Sequence, residues 1–75
     1  MKITLLCYAT FAVKCPENSD AYPIAEGDTV SDVLRKVEIP IEEVKIVFVN
    51  GVSCKFDTKL NDGDRVGVFP AVGGG

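Results

Sequence analysis

The sequence predicts an α+β fold in which a mixed sheet packs on one main helix. Only the stretch after Gly27-Asp28-Thr29 places its apolar residues at a clear helical spacing. Segments 2–8, 45–49 and 65–69 instead carry β-branched, aliphatic and aromatic residues between turn formers, as strands do. A chain of 75 residues has room for one domain, and one helix with one apolar stripe needs a sheet to cover it.

Residues 2–8 read as the first strand. Ile3, Leu5 and Cys7 share one face, and Thr4, Leu6 and Tyr8 share the other. Apolar residues on both faces suit a central strand, or one whose second face meets a partner. Residues 11–20, with Cys15-Pro16-Glu17-Asn18-Ser19-Asp20, read as a loop. Ala21–Ile24 is a weak strand, which Pro23 either confines to an edge or interrupts.

The helix follows. Val30, Val33, Leu34 and Val37 form its apolar face. Thr29 is the expected N-cap, and Asp32 is placed to close a capping box. Pro40 disfavours a helical Ile39, so the helix should end near Val37 or Glu38. Pro40 can then lead a single turn over 41–43. Lys45–Val49 is a strong strand, Asn50-Gly51 a hairpin turn and Val52–Lys55 the return strand. Asn61-Asp62-Gly63-Asp64 is a second turn before the last strand, Arg65–Phe69. Val66 and Val68 face one way and Phe69 the other. Pro70 onward is not expected to continue the strand. Parallel pairing of the first and last strands at the sheet centre is compatible with this order.

Composition excludes several function classes. Eleven acidic residues against eight basic ones give a formal charge of -3, which argues against nucleic acid as a partner. The chain has no His, so the commonest general base and metal ligand is missing. Cys7, Cys15 and Cys54 form no C-x-x-C pair, a poor pattern for zinc or a disulfide framework. Cys7 and Cys54 read as small core residues, and Cys15 as an incidental loop cysteine. Asp62 and Asp64 read as turn residues, and Glu42-Glu43 as a solvated turn. No metal site is expected. No apolar run approaches the roughly 18–20 residues of a membrane span, and the opening residues read as a strand, not a signal peptide. A reducing cytoplasmic setting is expected.

The end of the chain stands out. Gly73-Gly74-Gly75 directly follows a strand and has no packing value. It reads either as a frayed end or as a thin arm that carries a terminal carboxylate into a narrow channel of another protein. Adenylation with ATP would give that carboxylate a leaving group, and a sulfur nucleophile would then replace AMP. Such a carrier needs no acid, base or nucleophile of its own.

Gly67-Val68-Phe69-Pro70-Ala71-Val72-Gly73-Gly74-Gly75 resembles the F-P-P-V-x-G-G terminus of the molybdopterin synthase small subunit (MoaD) family of ubiquitin-like sulfur carriers. Asp62-Gly63-Asp64-Arg65-Val66 resembles the D-G-D-x-V that precedes it there. Asn50-Gly51, Leu60, Gly27-Asp28-Thr29-Val30 with Val33-Leu34, Lys2–Leu5 and Tyr8-Ala9 extend the likeness over nearly the whole chain. Ala71 stands where the family has a second proline, and Gly73 adds a third glycine.

The resemblance implies a β-grasp (ubiquitin-like) fold over 1–75 with a flexible tail at 71–75. It implies that Gly75 bears the carboxylate that is adenylated and thiocarboxylated, with Gly74 as the other half of the reactive pair. Tyr8, Phe69, Pro70, Val72 and Gly73 are then the partner-binding residues. The implied partners are a ubiquitin-activating-type adenylyltransferase, which consumes the ATP, and a large molybdopterin synthase subunit. No bound cofactor, nucleic acid or membrane is implied. The product would serve molybdenum or tungsten cofactor synthesis. A carrier for thiamine or another sulfur pathway, a modifier joined to lysines through Gly75, and a non-catalytic interaction module with an inert tail stay open as alternatives.

Overall fold

The computed structural model describes residues 1–71. Its strands are β1 (Lys2–Cys7), β2 (Tyr22–Pro23), β3 (Val44–Val49), β4 (Val52–Cys54) and β5 (Arg65–Pro70), and its helix is α1 (Val30–Lys36). The sheet order is β2-β1-β5-β3-β4. β1 and β5 run parallel, with Leu5 opposite Val66 and Cys7 opposite Val68. The other neighbours are antiparallel. The last strand in sequence is therefore the central strand in space.

Period-two alternation divides this sheet into two faces. Ile3 and Leu5 of β1, Val47 of β3, and Val66 and Val68 of β5 point inward and are buried. They form one cluster with Val30, Val33 and Leu34 of α1 and with Phe11, Ile24, Ile39 and Leu60. Val37 packs against its margin. Cys7 and Cys54 also lie at the margin, half-buried, and are not fully enclosed core residues.

The helix begins as its sequence predicts. The Asp32 backbone N–H donates to Thr29 Oγ1 at 3.3 Å, and the Thr29 backbone N–H donates to Asp32 Oδ2 at 2.9 Å. Each side chain thus satisfies a backbone donor that the first turn leaves free. That N–H, aided by the Thr29 hydroxyl, holds the Asp32 carboxyl below the usual carboxylate range. Asp28 is lowered as well, by the Ala25 N–H first and then by Lys36, whose ammonium lies 3.1 Å away. The helix stops at its C-cap, Val37, and Glu38 follows at φ +60°. Pro40 then leads a 3-10 turn at Ile41–Glu43.

Two turns are fastened to each other at one end of the sheet. Asn50 and Gly51 both take positive φ, 54° and 82°, the requirement of a tight hairpin. Asn50 Nδ2 donates to Asp64 Oδ1 at 3.0 Å, and Asn50 Oδ1 accepts from the Arg65 N–H at 3.0 Å. Asp64 Oδ2 accepts from the Asn61 N–H at 2.8 Å, closing its own turn. Asp62 Oδ1 accepts from the Lys2 N–H at 2.8 Å, and Lys2 O accepts from the Gly63 N–H at 2.7 Å. Both aspartates therefore act through hydrogen bonds that hold β1, β3 and β5 in register.

Two expectations need correction. Residues 11–20 are not a plain loop: Ala9–Lys14 and Ser19–Ala21 are 3-10 turns. The first exists because Phe11 enters the core, 2% exposed, which the surrounding turn-forming residues mask. Pro70 does continue the last strand, opposite Val44. A proline is tolerated there because it ends the strand, where the missing N–H interrupts no further ladder. The next N–H, that of Ala71, donates to Glu43 O at 3.1 Å.

Replacing Thr29→Ala is expected to destabilise the protein by about 1 kcal/mol, read as a lower urea midpoint. A group with a lowered folded pKa contributes stability above its unfolded pKa and loses it as pH falls through the folded one. Asp32→Asn should therefore cost stability at pH 7. The difference from the parent chain should shrink below about pH 4, where the parent's own carboxyl takes up a proton.

Candidate functional site

The face of the sheet turned away from the core carries the candidate site. Leu6 of β1, Gly67 of β5 and Phe48 of β3 lie side by side across three strands, since Leu6 pairs with Gly67 and Gly67 with Phe48. Gly67 has no side chain, so a floor of backbone separates two apolar walls. Asn50, Gly51 and Arg65 border one end of this groove, and Tyr8 and Phe69 the other. Its volume is about 470 Å³.

Tyr8 follows β1 and keeps its direction, with its N–H donating to Val68 O at 3.2 Å. Ala9, at φ +53°, then turns the chain away. This leaves the Tyr8 ring stacked on Phe69, centroids 4.2 Å apart and planes within 3°. Phe48 meets Phe69 edge-on at 5.6 Å. Aromatic pairs at these separations add about 0.5–1.5 kcal/mol beyond burial, so the three rings hold one another in place. Tyr8 is still 40% exposed. The stack is a surface feature, outside the core cluster.

Gly67 is a glycine for reasons of space. A Cβ built there would come 3.3 Å from Tyr8 Cε2, closer than ordinary van der Waals contact, so the Tyr8 ring lies over the glycine. Arg65 is exposed at the groove's far end, and its guanidinium makes no ion pair among the described residues. The face therefore offers three aromatic rings, an aliphatic wall and one cation, with no acid–base pair in it.

Of the residues that the sequence singles out, Tyr8 and Phe69 are brought into direct contact, and Pro70 ends the strand beside them. Val72, Gly73, Gly74 and Gly75 lie outside the described residues. Glu43, read as part of a solvated turn, supplies the carbonyl that receives Ala71. Phe48, Leu6, Gly67 and Arg65 were not singled out as site residues. The available signal was the second face of each strand: Leu6 with Tyr8, Ile46 with Phe48, and Gly67 with Phe69 alternate against the core residues.

Comparisons with known proteins agree with this architecture. The model of the ThiS family matches residues 9–75. Among solved structures, a protein described as a molybdopterin converting factor subunit 1, from Pyrococcus furiosus, is similar with a TM-score of 0.74 at 26% identity, over 96% of this chain and 99% of that one. SAMP1 from Haloferax volcanii is similar with a TM-score of 0.72 at 18% identity, over 100% of both chains. The fold is thus the β-grasp that the resemblance implied. A search of the curated proteins gives no match.

Replacing Gly67→Ala should leave the fold intact, because the clashing atom belongs to an exposed ring that can shift. The proton chemical shifts of the Tyr8 and Phe69 rings, which each ring's current moves in the other, should change while those of core valines such as Val66 stay in place.

Proposed function

The chain belongs to the ThiS family, and from that premise we propose that it is a sulfur carrier whose Gly75 carboxylate is the group that reacts. The oxygen of this carboxylate attacks the α-phosphorus of ATP held by an activating adenylyltransferase. Pyrophosphate leaves, and Gly75 becomes an acyl-adenylate. A sulfur nucleophile then displaces AMP, and a thiocarboxylate remains on Gly75. A cytoplasmic setting suits this chemistry.

The observation that carries the reading is the position of β5. The residues leading to the reactive end emerge from the central strand, next to the aromatic face. A partner that grips Tyr8, Phe48 and Phe69 at once grips the strand that leads into Pro70, Val72, Gly73, Gly74 and Gly75. The distance from the docking face to the carboxylate is then set by a few covalently linked residues, and the partner can place that end without any catalytic group from the carrier.

In this reading the aromatic face serves two successive partners, the adenylyltransferase and the protein that receives the sulfur. For the second, we propose a large molybdopterin synthase subunit. The resemblance of the tail and the likeness to a molybdopterin converting factor subunit support molybdenum or tungsten cofactor synthesis as the pathway. Sulfur supply for thiamine or another pathway is the nearest competitor.

The intact mass of the protein recovered from its own cells tests this reading. Replacement of one oxygen by sulfur, absent after deletion of Gly75, is the expected result. Glycine remnants on lysines of many other proteins, with no sulfur-bearing chain, would instead assign the protein as a ubiquitin-like modifier. At the docking face, Phe48→Ala and Tyr8→Ala should each weaken binding to the activating enzyme by about 2 kcal/mol, as for central aromatic anchors. The titration should show this in chains whose circular dichroism is unchanged.

A further inference from the structure

Two thiols meet at the margin of the core, away from the aromatic face. Cys7 ends β1 on the inward side, in line with Ile3 and Leu5, and packs against the core. The 3-10 turn Ala9–Lys14 then brings the chain back, and Cys15 closes it with its N–H donating to Ala12 O at 3.3 Å. The Cys15 thiol donates to Leu5 O at 3.8 Å, which sets its sulfur against β1 two residues before Cys7. The Cys15 side chain is near enough to Cys7 to bear on its ionisation. Both are half-buried and free. Cys54, the third cysteine, lies on β4, with β5 and β3 between it and β1. At about 4.8 Å per strand spacing, it is beyond the roughly 7 Å Cα separation that a disulfide spans.

We propose that Cys7 and Cys15 are a redox-active dithiol, which a small-molecule disulfide converts to an intrachain disulfide that fastens the Ala9–Lys14 segment to β1. The Cys15 thiolate attacks one sulfur of the small disulfide, whose S–S bond breaks and releases one thiolate. The Cys7 sulfur then attacks the Cys15 sulfur of the mixed disulfide. The second small thiol leaves with the Cys7 proton, so the two cysteines are oxidised by two electrons and the small disulfide is reduced to two thiols. Burial, reinforced by the hydrogen bond and charge of Cys15, pushes the Cys7 thiol up to about 12. Cys7 therefore stays protonated at neutral pH, and Cys15 is the entering nucleophile. This inference stands apart from the sulfur-carrier reading.

The test treats the full-length protein with oxidised glutathione and follows the intact mass. The expected product has lost two hydrogens, remains a monomer, and forms at a first-order rate independent of protein concentration. Trypsin should release the peptides Ile3–Lys14 and Cys15–Arg35 joined, with Cys54 free to alkylate. Cys54→Ser should give the same product, and Cys7→Ser should stop at a glutathione adduct on Cys15. Stable adducts on both Cys7 and Cys15, linkage to Cys54, dimers joined between chains, or no oxidation at all would overturn the proposal. The parent chain carries the decisive readout, so a variant that fails to fold does not rescue it.

Discussion

The parallel pairing of β1 with β5 is the constraint on which the rest of the structure depends. It joins the two ends of the chain, with Leu5 beside Val66 and Cys7 beside Val68. Closing so long a loop is entropically costly and slow compared with forming local contacts. The cost is offset on the inner face, where Val66 and Val68 complete the cluster with α1. It is also offset at the strand ends, where Asp62, Asp64 and Asn50 bind backbone groups of β1 and β5. Without β5 in the centre, β1–β2 and β3–β4 would be two separate ribbons with no common face.

The same pairing creates the candidate surface. Central strands in a sheet of this kind have both faces available, and β5 divides its residues between them. Val66 and Val68 serve the core, while Gly67 and Phe69 serve the outside. The missing side chain of Gly67 opens the groove, and the stacked ring of Tyr8 closes one end of it. The strand that stabilises the fold from within therefore also builds the proposed docking surface, and leads on to the residues that the proposed chemistry uses.

The sequence was legible wherever local rules decide the outcome. Thr29 and Asp32 announce a helix start through their own hydrogen bonds, and Asn50-Gly51 announces a turn through its φ angles. The edge position of Tyr22–Pro23 follows from a missing N–H. The 3-10 turn around Phe11 was not legible, because it depends on a core cavity built by distant strands. Pro70 in a strand was missed because its pairing with Val44 involves a partner far along the chain. For the candidate site, resemblance pointed to Tyr8 and Phe69. Phe48 and Gly67 were not pointed to, since they join the face only when three strands lie side by side. The position of Cys15 was hidden for the same reason: the turn at Ala9–Lys14, not its spacing, sets its sulfur 3.8 Å from Leu5 O.

Under the proposed function these elements form a rigid body that supplies grip and position, and the reactive group is the Gly75 carboxylate. The most direct measurement is ATP–pyrophosphate exchange by a partner adenylyltransferase, with the intact chain and with a chain lacking Gly75. Exchange that needs both the carrier and its Gly75 is the predicted result. Exchange that proceeds equally well without Gly75, or that never responds to the carrier, would contradict the assignment of the terminal carboxylate as the group that is activated.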